Sequence, residues 1–220
     1  MAQVQVLTLM PTIAQVCREC PNPTLIHAYL DAARQFCNES NWLIATLPGN
    51  TVANQRNYSL GSDTYNEIKG IRAISITVGG KAKGLTESVS STWDPNAAAG
   101  IPQRYQYLPE AQFALDQIPS AIYPLTVSII LQPKVGGNSI DESLAVNWEY
   151  ALRAGALAQL LAIPRMPWSD MKRAVFEEAK FKTAIASAAI SAQRGYNSGA
   201  IPTNEIGQPS GAISTRVLPI

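Results

Sequence analysis

Charged side chains are scarce in this chain. Asp, Glu, Lys and Arg make up 15% of its 220 residues, whereas an average globular protein has about a quarter. The formal net charge is +1, which excludes a global positive field that would attract nucleic acid. A surface with so few charges favours a protein that buries much of itself in contacts with other molecules.

Cysteine, histidine and long apolar runs are also scarce. The three cysteines are too few, and odd in number, for a disulfide framework, and the single histidine leaves little from which to build a Ser-His-Asp site. No apolar run reaches the roughly 18 residues of a membrane-spanning helix, and the N-terminal residues lack the basic region of a secretory signal. These absences predict that the protein is assembled in a reducing cytoplasm and is not inserted in a membrane.

Apolar residues at helical spacing predict two helices near the N-terminus and two in the second half of the chain. Asn22 is the expected N-cap of the second helix. Ser139 and Glu142 form a predicted capping box for the third, Ser169 is the expected cap of the fourth, and Gly195 is its C′ residue. The predicted helices are 8–20, 22–41, 139–163 and 169–194.

Between the two helix pairs the pattern changes to strands. Residues 71–78 alternate in polarity, which predicts a strand with Arg72 on the same face as Ile74. Gly79 and Gly80 follow as a two-residue hairpin turn. Because hairpin-length turns separate the strands, the sequence predicts an antiparallel β module.

The predicted fold is therefore α+β: a four-helix bundle built from the N- and C-terminal helix pairs, with an inserted antiparallel β module and an extended C-terminal tail. The predicted helical bundle domain comprises residues 1–41 and 139–194. The inserted β module is 42–138, and the C-terminal arm is 195–220.

One group of residues has the types that bind zinc: Cys17, Cys20, His27 and Cys37 make a formal Cys₃His set. Each cysteine, however, lies on the apolar face of its predicted helix, where cysteine behaves as a small hydrophobe. The sequence therefore predicts no metal site. It also predicts no catalytic residue and no cofactor-binding residue.

The segment GGKAKG, residues 79–84, has the glycines of a phosphate-binding loop but not its pattern, because no Ser or Thr follows Lys81. A hairpin turn with exposed lysines is the interpretation that we favour. Lys81 and Lys83 are candidate contacts to a DNA backbone if this turn faces a DNA channel.

The C-terminal arm has four Gly, three Pro and no helical period. A segment of this composition cannot build a core of its own, so it must dock on another surface if it is to become ordered. We expect its apolar side chains to be anchors to a partner: Ile201, Ile206, Ile213, Val217, Leu218 and Ile220.

A series of short motifs runs through the chain in a fixed order: PQRY at 102–105, FAL at 113–115, LTV at 125–127, WEYAL at 148–152 and WSD at 168–170. In this order they resemble the head-to-tail adaptor proteins of short-tailed phages, the tail tubular protein A-like family. The resemblance covers most of the chain, from the first helix to Arg194. The 62–69 segment, the 85–100 loop and the long tail have no clear counterpart.

The resemblance implies a structural virion protein without enzymatic activity or a cofactor. Family members form a ring, expected here to have about twelve subunits, between the portal protein and the tail nozzle protein. The ring continues the DNA channel, and DNA passes through it without sequence-specific binding. The expected location is the head–tail junction of the virion, after assembly in the host cytoplasm, and the arm is expected to dock on the portal or on an adjacent subunit.

Three alternatives remain open from the sequence. The first is another structural component of the virion, such as a head completion or tail nozzle protein. The second is a small hydrolase or metal-dependent enzyme, which would need a cluster of polar residues around the single histidine. The third is a DNA-binding module, against which the near-neutral net charge argues.

Overall fold

A computed structural model describes residues 2–61, 63–88 and 99–195 of the chain. Within these ranges a layer of helices packs on a curled sheet, and one cluster of buried apolar side chains lies between and inside them. The helices are α1 (Pro11–Val16), α2 (Asn22–Ser40), α3 (Glu142–Leu161) and α4 (Met171–Gln193), and a short 3-10 helix spans Val6–Leu9.

Nine strands form two sheets among the described residues. A two-stranded antiparallel sheet pairs the first strand with the last, and a seven-stranded sheet has the order β2-β8-β4-β5-β6-β7-β3. The strands are β1 (Gln3–Gln5), β2 (Ile44–Asn50), β3 (Asn57–Ser59), β4 (Asn66–Val78), β5 (Lys81–Glu87), β6 (Arg104–Leu108), β7 (Gln112–Leu115), β8 (Pro124–Pro133) and β9 (Ser139–Asp141).

The predicted four-helix bundle is wrong. The expected first helix, 8–20, divides into the 3-10 helix and the six-residue α1, because Pro11 can occupy only a first helical turn. Backbone with positive φ at Glu19 prevents the helix from continuing. At 1.5 Å per residue α1 is about 9 Å long, too short to be a bundle member, so three long helices cover one large sheet.

The predicted antiparallel module is also wrong, because the seven-stranded sheet is mixed. β5 and β6 are parallel neighbours, with Thr86 opposite Arg104 and Glu87 opposite Tyr105. Parallel neighbours need a crossover connection, and the connection between these strands was expected to be a simple loop. The division of the chain at residues 42 and 138 stays a prediction.

The ends of the helices agree with the sequence in part. Gly195 has φ +67°, and its N–H donates to the carbonyl of Ala192, as expected of a C′ glycine. The capping box at Ser139 is wrong: Ser139 lies in β9, and Asp141 caps α3 by accepting a hydrogen bond from the Ser143 N–H at 2.9 Å. Asp170, not Ser169, caps α4, and Asn22 is the first residue of α2 and not its N-cap, which is Pro21.

The hairpin at Gly79 and Gly80 is confirmed. Val78 of β4 pairs directly with Lys81 of β5, and both glycines have positive φ, as the two-residue turn that matches the twist of a β-ribbon requires.

Strand β4 contains two bulges that the alternating pattern does not reveal. Opposite β8, the pairing skips Lys69 between Ile68 and Gly70, and it skips Arg72 between Ile71 and Ala73. Each extra residue reverses the alternation of side chains after it. The prediction that Arg72 shares a face with Ile74 is therefore wrong, since Ile71 and Ile74 are both buried and Arg72 is exposed.

The three long helices come close together at Gly155 of α3. A Cβ atom built on this glycine would lie 2.9 Å from ring carbons of Phe181 in α4 and 3.0 Å from the Cβ of Ala32 in α2. Only a residue without a side chain fits this site, although glycine costs about 1 kcal/mol in a helix interior.

We expect Gly155→Ala to lower the free energy of unfolding by about 1–2 kcal/mol, because overpacking of the helix contact outweighs the gain in helix propensity. Gly49→Ala is the matched control, since no atom lies within 4 Å of the Cβ position in that edge strand. It should change stability by less than about 0.5 kcal/mol. Denaturant titration of both variants measures this, and equal midpoints for Gly155→Ala and the wild type would contradict the close packing.

Candidate interaction surfaces

The two bulged residues of β4 hold the C-terminal ends of two helices. The Nζ of Lys69 donates to the carbonyl of Asn38 and, at 2.8 Å, to Oδ1 of Asn41, where α2 ends. Nη2 of Arg72 donates to the carbonyl of Ala192 in the last turn of α4 at 2.8 Å. The Asn38 and Ala192 carbonyls lie at helix C-termini, where the negative end of the helix dipole favours a cation, and the Ala192 carbonyl accepts from the Gly195 N–H as well. A cation therefore satisfies each helix end and ties it to the sheet.

A third basic side chain joins α2 to the far end of the same sheet. Nη2 of Arg34 forms an ion pair with Oε1 of Glu67 at 2.8 Å, and its Nη1 donates to the carbonyl of Pro133. Nε2 of Gln132 donates to the same Glu67 carboxylate. The network links α2, β4 and β8, and it holds the helical layer on the sheet at one side as the bulged cations do at the helix ends.

We expect Arg72→Met to lower the free energy of unfolding by about 1–2 kcal/mol, because the change removes a charged hydrogen bond and keeps most of the apolar stem. Lys83→Met, in the exposed β5, is the control and should be nearly neutral. Denaturant titration tests both. Hydrogen exchange of the Gln193 and Arg194 amides should accelerate in the Arg72 variant alone, and unchanged stability together with unchanged exchange would show that the contact does not hold α4.

Lys81 and Lys83, the candidate DNA contacts, lie two residues apart on β5 directly after the hairpin turn. Both side chains are exposed, and within the described ranges neither forms a hydrogen bond or an ion pair. Since side chains two residues apart point to the same side of a strand, the hairpin presents two unneutralised positive charges together.

The residues considered for zinc do not come together as a site. Cys17, Cys20 and Cys37 are all buried with free thiols. Burial raises the pKa of Cys17 to about 11 and that of Cys37 to about 12, so both stay protonated at neutral pH and are poor ligands. His27 is exposed, and its Nδ1 lies 2.9 Å from Oδ2 of Asp31. In the described part of the chain, no group of three or more His, Cys, Asp or Glu side chains is placed to hold a metal ion.

The outward sides of α3 and α4 carry exposed aromatic and basic side chains side by side. Nζ of Lys180 lies 4.2 Å from the ring centre of Phe176 and 5.8 Å from that of Tyr150, and it pairs with Glu177 at 3.3 Å. Glu177 is only 7% exposed. Its carboxylate fixes the ammonium group over the two rings, so an apolar patch with a positive edge lies open on this side. The sequence signal for it was weak, since Phe176 and Tyr150 sit among charged residues.

The family model of the SU10 adaptor proteins matches the chain over residues 5–203. The match covers nearly all of the described residues, including all of the helices and the whole seven-stranded sheet. The chain belongs to the SU10 adaptor protein family. No curated protein matches it.

This membership confirms the adaptor resemblance inferred from the ordered motifs. Four of the five motifs lie wholly or partly on regular elements: residues 104–105 begin β6, 113–115 end β7, 125–127 lie in β8 and 148–152 in α3. The fifth, residues 168–170, directly precedes α4. A family of adaptors points to a structural component of a phage virion that associates with other components. None of the helices that the structure describes is long and apolar enough to cross a membrane.

The predicted anchors of the C-terminal arm lie outside the described residues. Ile201 falls within the family match, whereas the other five anchors lie beyond residue 203. Their role stays a prediction.

Proposed function

We propose that this chain forms the head-to-tail adaptor ring of a phage, about twelve subunits around a symmetry axis, at the junction between the portal protein and the tail nozzle protein. The ring continues the DNA channel and has no enzymatic activity. The observation that carries the proposal is the adaptor family match over residues 5–203. The scarcity of charged residues supports extensive burial in an assembly.

The described surface supports an assembly in which one copy contacts the next through different surfaces. Large exposed apolar side chains are concentrated on α3 and α4, with Val146 and Tyr150 on the first helix and Val175 and Phe176 on the second. Contiguous apolar patches of this kind mark interaction sites on soluble proteins. A ring closes when such a patch meets a different surface of its neighbour at every junction.

The C-terminal arm, residues 195–220, anchors the adaptor to the portal protein or to an adjacent subunit in this proposal. Its anchors are the six apolar residues named above, from Ile201 to Ile220. Only two charged side chains, Glu205 and Arg216, lie among them. Burial of such side chains against a partner stabilises by about 1.5–3 kcal/mol each when it is complete.

We expect deletion of residues 196–220 to leave a folded protein that no longer joins the connector. All described elements precede the deletion, so the circular dichroism spectrum and the unfolding midpoint should match those of the full chain. Electron microscopy of the chain mixed with its portal should then show rings for the wild type and free subunits for the truncated chain. Normal assembly of the truncated chain would show that the arm is not the anchor.

The hairpin lysines, Lys81 and Lys83, face the DNA channel in this proposal and contact phosphates without reading sequence. Two exposed charges per subunit, repeated around a ring, create a local positive belt even though the net charge of the chain is +1. Such contacts position DNA by its backbone and are weakened by salt.

Replacing both lysines, Lys81→Gln with Lys83→Gln, should flatten the salt dependence of DNA binding by the assembled ring. Each lost phosphate contact removes about 0.9 from the slope of log K against log salt concentration. Lys172→Gln, an exposed lysine of α4, is the control and should keep the wild-type slope. Fluorescence anisotropy with two unrelated duplexes measures both the slope and the lack of sequence preference. If the double variant keeps the wild-type slope, the hairpin does not face DNA.

A further inference from the structure

Helix α4 uses only one side for the core. Its buried residues recur every three or four positions along a single stripe, and the opposite side carries large apolar side chains in the open. Met171, Val175 and Phe176 are each 60% exposed, and Ile190 is 49% exposed. We call these four residues the outer face. They fall within less than half of the helix circumference, at 100° per residue.

This outer face is not a set of isolated exposed residues, which would need no explanation. Ile190 lies in the last turn of α4 and Met171 at its start, so the face spans about 29 Å. Between its ends, the exposed Ala179 and Ala186 keep the surface low, which lets the backbone of another segment approach. The exposed Lys172, Lys182 and Thr183 lie within the same arc and give the face polar positions among its apolar ones. An apolar row of this length is typical of a docking site for a chain segment.

The segment that the rest of the chain offers for this face is residues 196–220. It leaves α4 directly after Gly195, whose φ of +67° ends the helix, and it holds 25 residues with only two charged side chains. Fully extended, it reaches about 80 Å, whereas about nine extended residues would cover the outer face. The length beyond nine residues is enough to cross to a neighbouring molecule.

The prolines of the segment favour a helix face over a sheet edge as its site. Pro202, Pro209 and Pro219 have no N–H, so they interrupt the hydrogen-bond ladder of an added strand. Of the two edge strands of the seven-stranded sheet, β2 contains a further proline, Pro48, and β3 has only three residues. Docking of apolar side chains on a helix needs no such ladder.

We propose that residues 196–220 of one copy bind the outer face of α4 on an adjacent copy. The proposal rests on the proposed ring, and it names the surface that receives the arm. In a closed ring each copy then both donates a segment and receives one, so every outer face is covered and no apolar row stays in water.

The test uses the full-length chain with Val175→Glu and Ile190→Glu together. Val135→Glu is the control, because Val135 is 75% exposed but lies between β8 and β9, away from α4. In the assembled protein, amides of residues 196–220 should exchange at least tenfold faster in the double variant than in the wild type or the control. Equal exchange rates in all three proteins would overturn the proposal. All three should unfold at the same temperature, since both substituted positions are exposed.

The donor copy is identified by mixing two full-length variants, one with Ala186→Cys and one with Ile201→Cys, Ile206→Cys or Ile213→Cys. A bismaleimide crosslinker should join the two chains into a dimer, while the native cysteines stay buried. A third protein carries both substitutions in one chain. If crosslinks form only within that chain and never between the two mixed chains, the arm covers its own helix, which overturns the proposal. Native mass spectrometry separates the two proposals. If the wild-type chain remains monomeric when it is mixed with its portal, the ring is refuted. If a ring forms but the amide exchange rates of residues 196–220 are the same in the double variant and the wild type, only this docking site is refuted.

Discussion

The helical layer is held in place by Lys69 and Arg72, two cations that a β4 strand without bulges could not direct to the helix ends. An uninterrupted β4 would direct alternate side chains to opposite faces, and its basic residues would then compete with Ile71 and Ile74 for space at the core. The two bulges remove that conflict. They set Lys69 and Arg72 aside from the ladder, and each side chain donates to an oxygen at the C-terminal end of a helix. One strand thereby fixes both the orientation of the sheet and the positions of α2 and α4.

The close contact at Gly155 depends on that arrangement. Helices that touch through a glycine gain dispersion contacts only while their axes stay in place. The hydrogen bonds from Lys69 to Asn41 and from Arg72 to Ala192 hold the C-terminal ends of α2 and α4 against sliding. The helical layer is therefore held in one arrangement on the sheet, and its outer side is free for other contacts. An adaptor needs such a fixed surface, because its partners must bind the same surface on every subunit.

The distribution of charge fits the same role. Several charged side chains of the described fold make links within it, such as Arg34 with Glu67 and Lys180 with Glu177, while large apolar side chains on the outer face of α4 stay exposed. The adaptor family supplies the context in which the exposed rows become interfaces.

Local pattern was enough to locate the long helices and part of the sheet. It located α2, α3 and α4, the Gly79–Gly80 hairpin, the buried cysteines and, through the order of short motifs, the adaptor family, because apolar spacing and turns act over a few residues. The N-cap residues predicted from local sequence were wrong. Only the tertiary structure decided what depends on distant partners. A bulge in β4 cannot be recognised until β8 is paired with it, and the parallel pairing of β5 with β6 joins residues on either side of a long connection. The bundle is incomplete because α1 ends after six residues. The lysines of the hairpin were found from sequence, whereas the outer face was missed: Val175 and Phe176 look like core residues until α4 is seen to bury its other side.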